Sequence, residues 1–204
     1  KWKSTKQHFI TRGISFDVFP WGHMGVYPYQ NNSGEILVES AKGNPVLAVR
    51  NYGKGRVVEF GYPERGFLPR VDNPWETGLN YPYWEYMWSL VGRSVVWASH
   101  KEPDTFIEIV ERTHEGINVK LNNIQKNAYV NVQVIDDFGD VEEEIKTTVN
   151  VKQTEADIKF SKKLDGGKLI VNVQLASDNG VYDWYSLPFE ISKIAEIVSV
   201  ENRE

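Results

Sequence analysis

The residues best suited to chemistry are concentrated in one connection. Residues 63–82, "PERGFLPRVDNPWETGLNYP", place Glu64, Arg65, Arg70, Asp72, Trp75 and Tyr81 in a Pro- and Gly-rich run, with Tyr83 and Glu85 just beyond it. A glycoside hydrolase needs two carboxylates facing each other across a sugar, about 5 Å apart for retention or about 6.5–9.5 Å for inversion. Glu59, Glu64, Asp72, Glu76 and Glu85 are candidates for such a pair by location alone. Trp75, Tyr81 and Tyr83 are amphipathic rings that could lie against a sugar face. Long connections inside compact domains often carry function, although a plain surface loop has the same composition. Glu64, Arg65, Arg70, Asp72, Trp75, Tyr81, Tyr83 and Glu85 are therefore candidate ligand-binding positions, and no catalytic residue is assigned.

Other reaction classes find little support. The chain has no cysteine, which removes thiolate zinc sites and a cysteine nucleophile. Ser15 in "GISFD" and Ser94 in "GRSVV" lack the second glycine of a nucleophile elbow. His8, His23, His100 and His114 are scattered, with no paired-histidine metal spacing. "DDFGD" at 136–140 lacks the register of a calcium loop, and its residues suit a hairpin turn. "VEEEIKT" reads as a solvated strand whose charges discourage edge pairing. "NYGKGR" has no helix after it to complete a phosphate cradle, so a tight turn between strands is expected there. Neither a metal nor a cofactor is expected.

Charge narrows the partners. Net charge is −5, but residues 1–100 carry 11 Lys/Arg against 8 Asp/Glu and residues 101–204 carry 12 against 20. An acidic second half would repel nucleic acid. No apolar run approaches the roughly 20 residues of a membrane-spanning helix.

The elements that position these residues fall into two parts with different patterns. In the first, "GEILVES" (34–40), "NPVLAVRNY" (44–52) and "GRVVEFGY" (55–62) read as short strands. "YPYWEYMWSLVGRSVVW" (81–97) then reads as a helix, with Pro82 suited to its first turn. Trp84, Met87, Trp88, Val91, Val95 and Ala98 recur at three-to-four spacing, widened by Tyr83, Leu90 and Trp97, while Glu85, Ser89 and Arg93 mark a polar side. Such a stripe predicts core rather than a ligand platform. The boundary is expected at "SHKEPDT" (99–105), where Pro103 prevents the helix from continuing.

In the second part, strands are expected at 105–111, 117–122, 128–136, 141–149, 156–160, 168–176 and 182–191. Val130, Val132 and Val134 alternate with Asn131 and Gln133, giving one apolar and one wet face. About seven short strands in about 100 residues predict an immunoglobulin-like sandwich.

"HFITRGI", "GNPVLAVRNYGKGRVVEFGY" and "YWEYMWSLVGRSVVWAS" resemble the C-terminal part of class I glutamine amidotransferase-like domains, over roughly residues 7–100. The nearest likeness is to the degenerate form found in large exported bacterial proteins and in the middle domain of family-42-type β-galactosidases. Phe9 stands where that pattern has proline. "GGKLIVNVQLASDNGVYDWYSLPFEI" is similar to sandwich repeats in which an Asp-Trp pair precedes the final strand. The family's nucleophilic cysteine lies upstream of the matched region, so no catalytic residue carries over. The early strands of its flavodoxin-like sheet would likewise precede Lys1, which predicts a piece of a larger protein.

The expected fold is thus α/β (a partial flavodoxin-like, amidotransferase-like unit, 1–101) followed by an all-β immunoglobulin-like sandwich (102–204). The expected role is a non-catalytic accessory or assembly region of an exported, extracellular or periplasmic glycan-processing protein. Its expected partners are upstream domains or another subunit, with carbohydrate as a further partner and neither nucleic acid nor a membrane span. The alternatives are part of a glycoside hydrolase or amidase, and a carbohydrate-binding module.

Overall fold

The computed structural model describes residues 1–18, 34–61, 86–136, 139–161, 164 and 167–191. They form eleven strands and one helix: β1 (Trp2–Ser4), β2 (Glu35–Ser40), β3 (Pro45–Tyr52), β4 (Gly55–Phe60), α1 (Tyr86–Ala98), β5 (Phe106–Arg112), β6 (Gly116–Asn122), β7 (Ala128–Asp136), β8 (Val141–Val149), β9 (Glu155–Lys159), β10 (Gly167–Ser177) and β11 (Gly180–Ile191).

The first part is not the α/β unit expected. Its four strands pair in the order β1-β2-β3-β4, every pair is antiparallel, and a single helix accompanies them among the described residues. A flavodoxin-like sheet is parallel, and each parallel pair needs a crossover of a dozen or more residues. Here four residues separate β2 from β3 and two separate β3 from β4, which permits only hairpins. Gly53, at φ +58°, makes the tighter turn. The flavodoxin-like and amidotransferase-like reading is therefore withdrawn.

α1 keeps its helical place and buries the expected Leu90 and Trp97, but the rest of its buried face differs from the expected stripe. Tyr86, Leu90, Arg93, Ser94 and Trp97 are buried, a regular stripe that packs with Leu37, Leu47 and Val49 of the sheet. Trp88 and Val95, expected in that stripe, are 45% and 63% exposed. The helix ends in a Schellman closure: Lys101 N–H donates to Val96 O (3.1 Å), His100 N–H donates to Trp97 O (3.1 Å), and His100 sits at φ +57°.

The second part is a sandwich of two antiparallel sheets, β11-β10-β7-β8 and β5-β6-β9. All seven expected strands are present, with ends moved by two residues at most. Alternation builds its core. Val130, Val132, Val171 and Val173 point inward from one sheet to meet Ile107, Ile117, Val119 and Ile158 of the other. Each such side chain contributes roughly 1.5–3 kcal/mol when fully covered.

β11 and β5 are edge strands lying against one another at the open side of the sandwich. The segment carrying Phe9–Gly13 and the buried stripe of α1 close that side, and the half-buried Trp184 and Ile170 pack into the core of the first part. Covering the edge in this way removes a template for aggregation.

Candidate functional site

Two constellations of polar side chains lie where the parts meet. The first is sealed. Asp183 of β11 accepts from Arg93 Nη2 (2.8 Å), Arg12 Nη2 (3.0 Å) and the Ile107 N–H (3.0 Å). Arg93 also donates to the carbonyls of Phe9 (2.9 Å) and Trp184. The guanidinium of Arg12 lies 4.0 Å from the Phe106 ring centroid, and that of Arg93 lies 4.5 Å from the Trp184 ring. The side chains of Arg93 and Asp183 are only 1% and 2% exposed. Arginine does not give up its proton in proteins, and this carboxylate already holds three donors. The cluster is built to hold α1, the Phe9–Gly13 segment, β5 and β11 together, not to meet a substrate.

Gly13 lets the backbones approach at this joint. It sits at φ +73°, and its carbonyl accepts the Ser186 N–H at 2.9 Å. A Cβ added there would lie 2.9 Å from the Tyr185 Cα. Burial raises the pKa of the Tyr185 phenol, partly offset by a hydrogen bond with the Val110 backbone.

The second constellation is open. A cavity of about 360 Å³ lies between the first turn of α1 and the outer face of the four-stranded sheet. Cross-strand register forms its floor. Glu144, Gln133 and Asn172 make one row across β8, β7 and β10, and Lys146, Asn131, Gln174 and Trp184 make the next, reaching β11. Residues directly opposite on neighbouring strands have close side chains, so four amides meet in two adjacent pairs. Gln133 Nε2 donates to Glu144 Oε1 at 3.2 Å. On the helix side, the Tyr86 hydroxyl bonds Asn172 Oδ1, and Trp184 Nε1 donates to Ser89 Oγ at 3.1 Å. Among the described residues, the side-chain amides of Asn131 and Gln174 make no hydrogen bond.

His8 stands near the joint and makes its stability pH-dependent. Its ring meets Trp97 edge-on at 5.4 Å, and its Nδ1 accepts the Ile10 N–H at 3.2 Å, which requires that nitrogen to be unprotonated. Burial lowers its pKa below the usual 6.5, helped by Lys6, Arg56 and Arg12 and opposed by Glu102. The unfolded chain thus binds a proton at higher pH than the folded one does. Stability from this group is full above pH 6.5 and falls as the pH drops below it. Urea titrations between pH 7.5 and 5 are expected to show this loss. His8→Asn, which keeps an acceptor for Ile10 without titrating, is expected to flatten the profile; an unchanged slope would count against the assignment.

Of the candidate ligand positions, Glu64, Arg65, Arg70, Asp72, Trp75, Tyr81, Tyr83 and Glu85 all lie outside the described residues, as does Glu76. Glu59 sits on β4 and pairs with Arg50 at 3.3 Å. At 136–140, Asp140 N–H donates to Asp136 Oδ1 at 2.8 Å and Asp136 N–H donates to Asp140 O at 3.0 Å, a turn held by its own groups. Among the described residues, no group of three or more His, Cys, Asp or Glu is placed to hold a metal, and no helix is long and apolar enough to cross a membrane.

No family model matches the chain, and no curated protein does. Among solved structures, a "putative beta-galactosidase" from Bacteroides fragilis is similar at 14% identity and a TM-score of 0.28, over 45% of this chain and 16% of its own. A β-glucuronidase of glycoside hydrolase family 2 is similar at 18% identity and a TM-score of 0.26, over 47% of this chain and 12% of its own. The chain spans less than a fifth of either protein, and likeness this slight bears neither on its fold nor on its role. The amidotransferase-like resemblance gains no support from these neighbours.

Proposed function

We propose that this chain is a non-catalytic accessory or assembly region of a larger, exported, glycan-processing protein. It would work as two domains, 1–101 and 102–204, clamped into one rigid piece. The observation that carries the reading is the sealed Arg12–Asp183–Arg93 cluster. Groups that could do polar chemistry are committed there to a joint, and a rigid joint is what a spacer or packing partner requires. The exposed Trp88 and Val95 on the outer side of α1 suit a contact with an upstream domain or another subunit.

Two measurements test this reading. Thermal unfolding followed by tryptophan fluorescence, which reports mainly on residues 1–100, and by far-UV circular dichroism, dominated by strands, is expected to give coincident transitions. Separated transitions would dissolve the clamp. The purified chain is also expected to leave a panel of chromogenic glycosides unhydrolysed. Turnover lost in Glu64→Gln or Glu85→Gln would replace the accessory reading with an enzymatic one. The open cavity favours a second reading, a carbohydrate-binding module.

A further inference from the structure

We propose that the cavity between the first turn of α1 and the outer face of β7, β8 and β10 binds a neutral glycan segment of mono- or disaccharide size. The proposal deepens the glycan-handling reading above and rests on it for the biological setting, but the ligand class follows from the floor of the cavity. Outward faces of strands usually carry charges, as β8 does with Glu142, Glu144 and Lys146. Along β7 and β10 that face carries amides instead, at Asn131, Gln133, Asn172 and Gln174.

A side-chain amide presents a donor and an acceptor side by side, which matches two neighbouring hydroxyls and needs no charge on the ligand. Two of the four amides are already engaged, Asn172 by Tyr86 and Gln133 by Glu144. Asn131 and Gln174, opposite one another in register, keep their full hydrogen-bonding capacity for a ligand. Glu144, at the rim, accepts from a hydroxyl and repels an anion, while the half-buried indole of Trp184 gives the floor an apolar margin at the β11 end. A volume of about 360 Å³ falls at the small end of ligand sites. A nucleic acid or phosphate ligand would need clustered cations, and no Lys or Arg lines the cavity among the described residues; Lys146, opposite Asn131, has its ammonium 3.6 Å from the Tyr129 ring centroid.

The test is a titration of the full 204-residue chain with neutral disaccharides (cellobiose, laminaribiose, xylobiose and galactobiose), followed by calorimetry and by the side-chain amide resonances of Asn131 and Gln174. Saturable binding by at least one sugar is expected, with both resonances shifting. Asn131→Ala and Gln174→Ala, on a solvated face, are each expected to weaken it at least tenfold while leaving the melting temperature unchanged. Binding that survives both variants and disappears with Trp75→Ala would overturn this site and leave the glycan-handling reading standing. No binding by any of the four sugars would also overturn it, and the accessory reading would then be decided by the unfolding and hydrolysis measurements alone.

Discussion

Asp183→Ala is expected to destabilise the protein by roughly 3–5 kcal/mol, the usual cost of breaking a buried ion pair from one side. At this chain length that lowers the melting temperature by roughly 6–20 °C. The reason lies in what remains. Arg93 would keep its charge in a site where its side chain is 1% exposed and would lose the carboxylate 2.8 Å from its Nη2. Arg12 would lose its acceptor, and so would the Ile107 N–H. Neither arginine can escape by deprotonating. Asp183→Asn, which keeps an acceptor and removes the charge, is expected to fall between wild type and alanine. Replacing Asp183 and Arg93 together is the sharper test, because apolar replacement of a buried pair is often close to neutral, and only one charge, that of Arg12 with its side chain 10% exposed, then loses its carboxylate. Asp183→Leu combined with Arg93→Met should therefore recover part of the loss seen with either change alone. Urea denaturation at pH 7.5 compares the wild type with Asp183→Ala, Asp183→Asn, Asp183→Leu, Arg93→Met and the double variant. A loss below about 1 kcal/mol for Asp183→Ala would show that water reaches the cluster.

This joint also marks how far the residues alone could be read. Strand placement was legible because it is written locally. Val130, Val132 and Val134 alternate with polar residues, and Gly53 and the Asp136–Asp140 turn punctuate the runs. The architecture of the first part was not. "PVLAV" in β3 is a continuous buried run, a pattern that parallel strands in α/β sheets share. The short links on either side of it were the better guide. β1, at three residues, is too short to carry a period.

Arg93 misled for a different reason. Residue type puts it on a polar face, yet its spacing from Leu90 and Trp97 puts it within the buried stripe, where a counter-charge from 90 residues away helps make that burial tolerable. The Asp183–Trp184 pair, which the resemblance to sandwich repeats puts before the final strand, lies within β11, and its arginine partners follow from no spacing in the sequence. The cavity was half legible. Asn131 and Gln133 could be seen on a wet face, whereas their meeting with Gln174 and Asn172 depends on the β7–β10 register. The connection 63–85, which holds the candidate ligand positions read from the sequence, lies outside the described residues.

Gly116→Ala is the second large effect, and it falls in the sandwich rather than at the joint. Gly116 opens β6 opposite Lys159 of β9. A Cβ built there would lie 2.9 Å from both the Ile158 carbonyl carbon and the Lys159 Cα, and closer still to the Ile158 carbonyl oxygen. Every one of these is backbone, so no side chain can swing aside. Relief requires β9 to move away from β6, which strains the Ile117–Ile158 pairing and the bonds flanking it, Phe160 N–H to Glu115 O at 2.9 Å and Thr113 N–H to Gly116 O at 2.9 Å. Ile117 and Ile158 are both core residues, so the displacement reaches the packing between the sheets. Overpacking of this kind costs about 3 kcal/mol or more when nothing can give. Gly53→Ala supplies the contrast. Nothing lies within 4 Å of a Cβ at Gly53, and only its φ of +58° opposes the change, at about 1–2 kcal/mol. Unfolding free energies of the two variants, from denaturant titrations run side by side, are expected to differ by about 1 kcal/mol or more. Equal values would mean that β9 yields freely, and that the three-stranded sheet is less tightly held than its register implies.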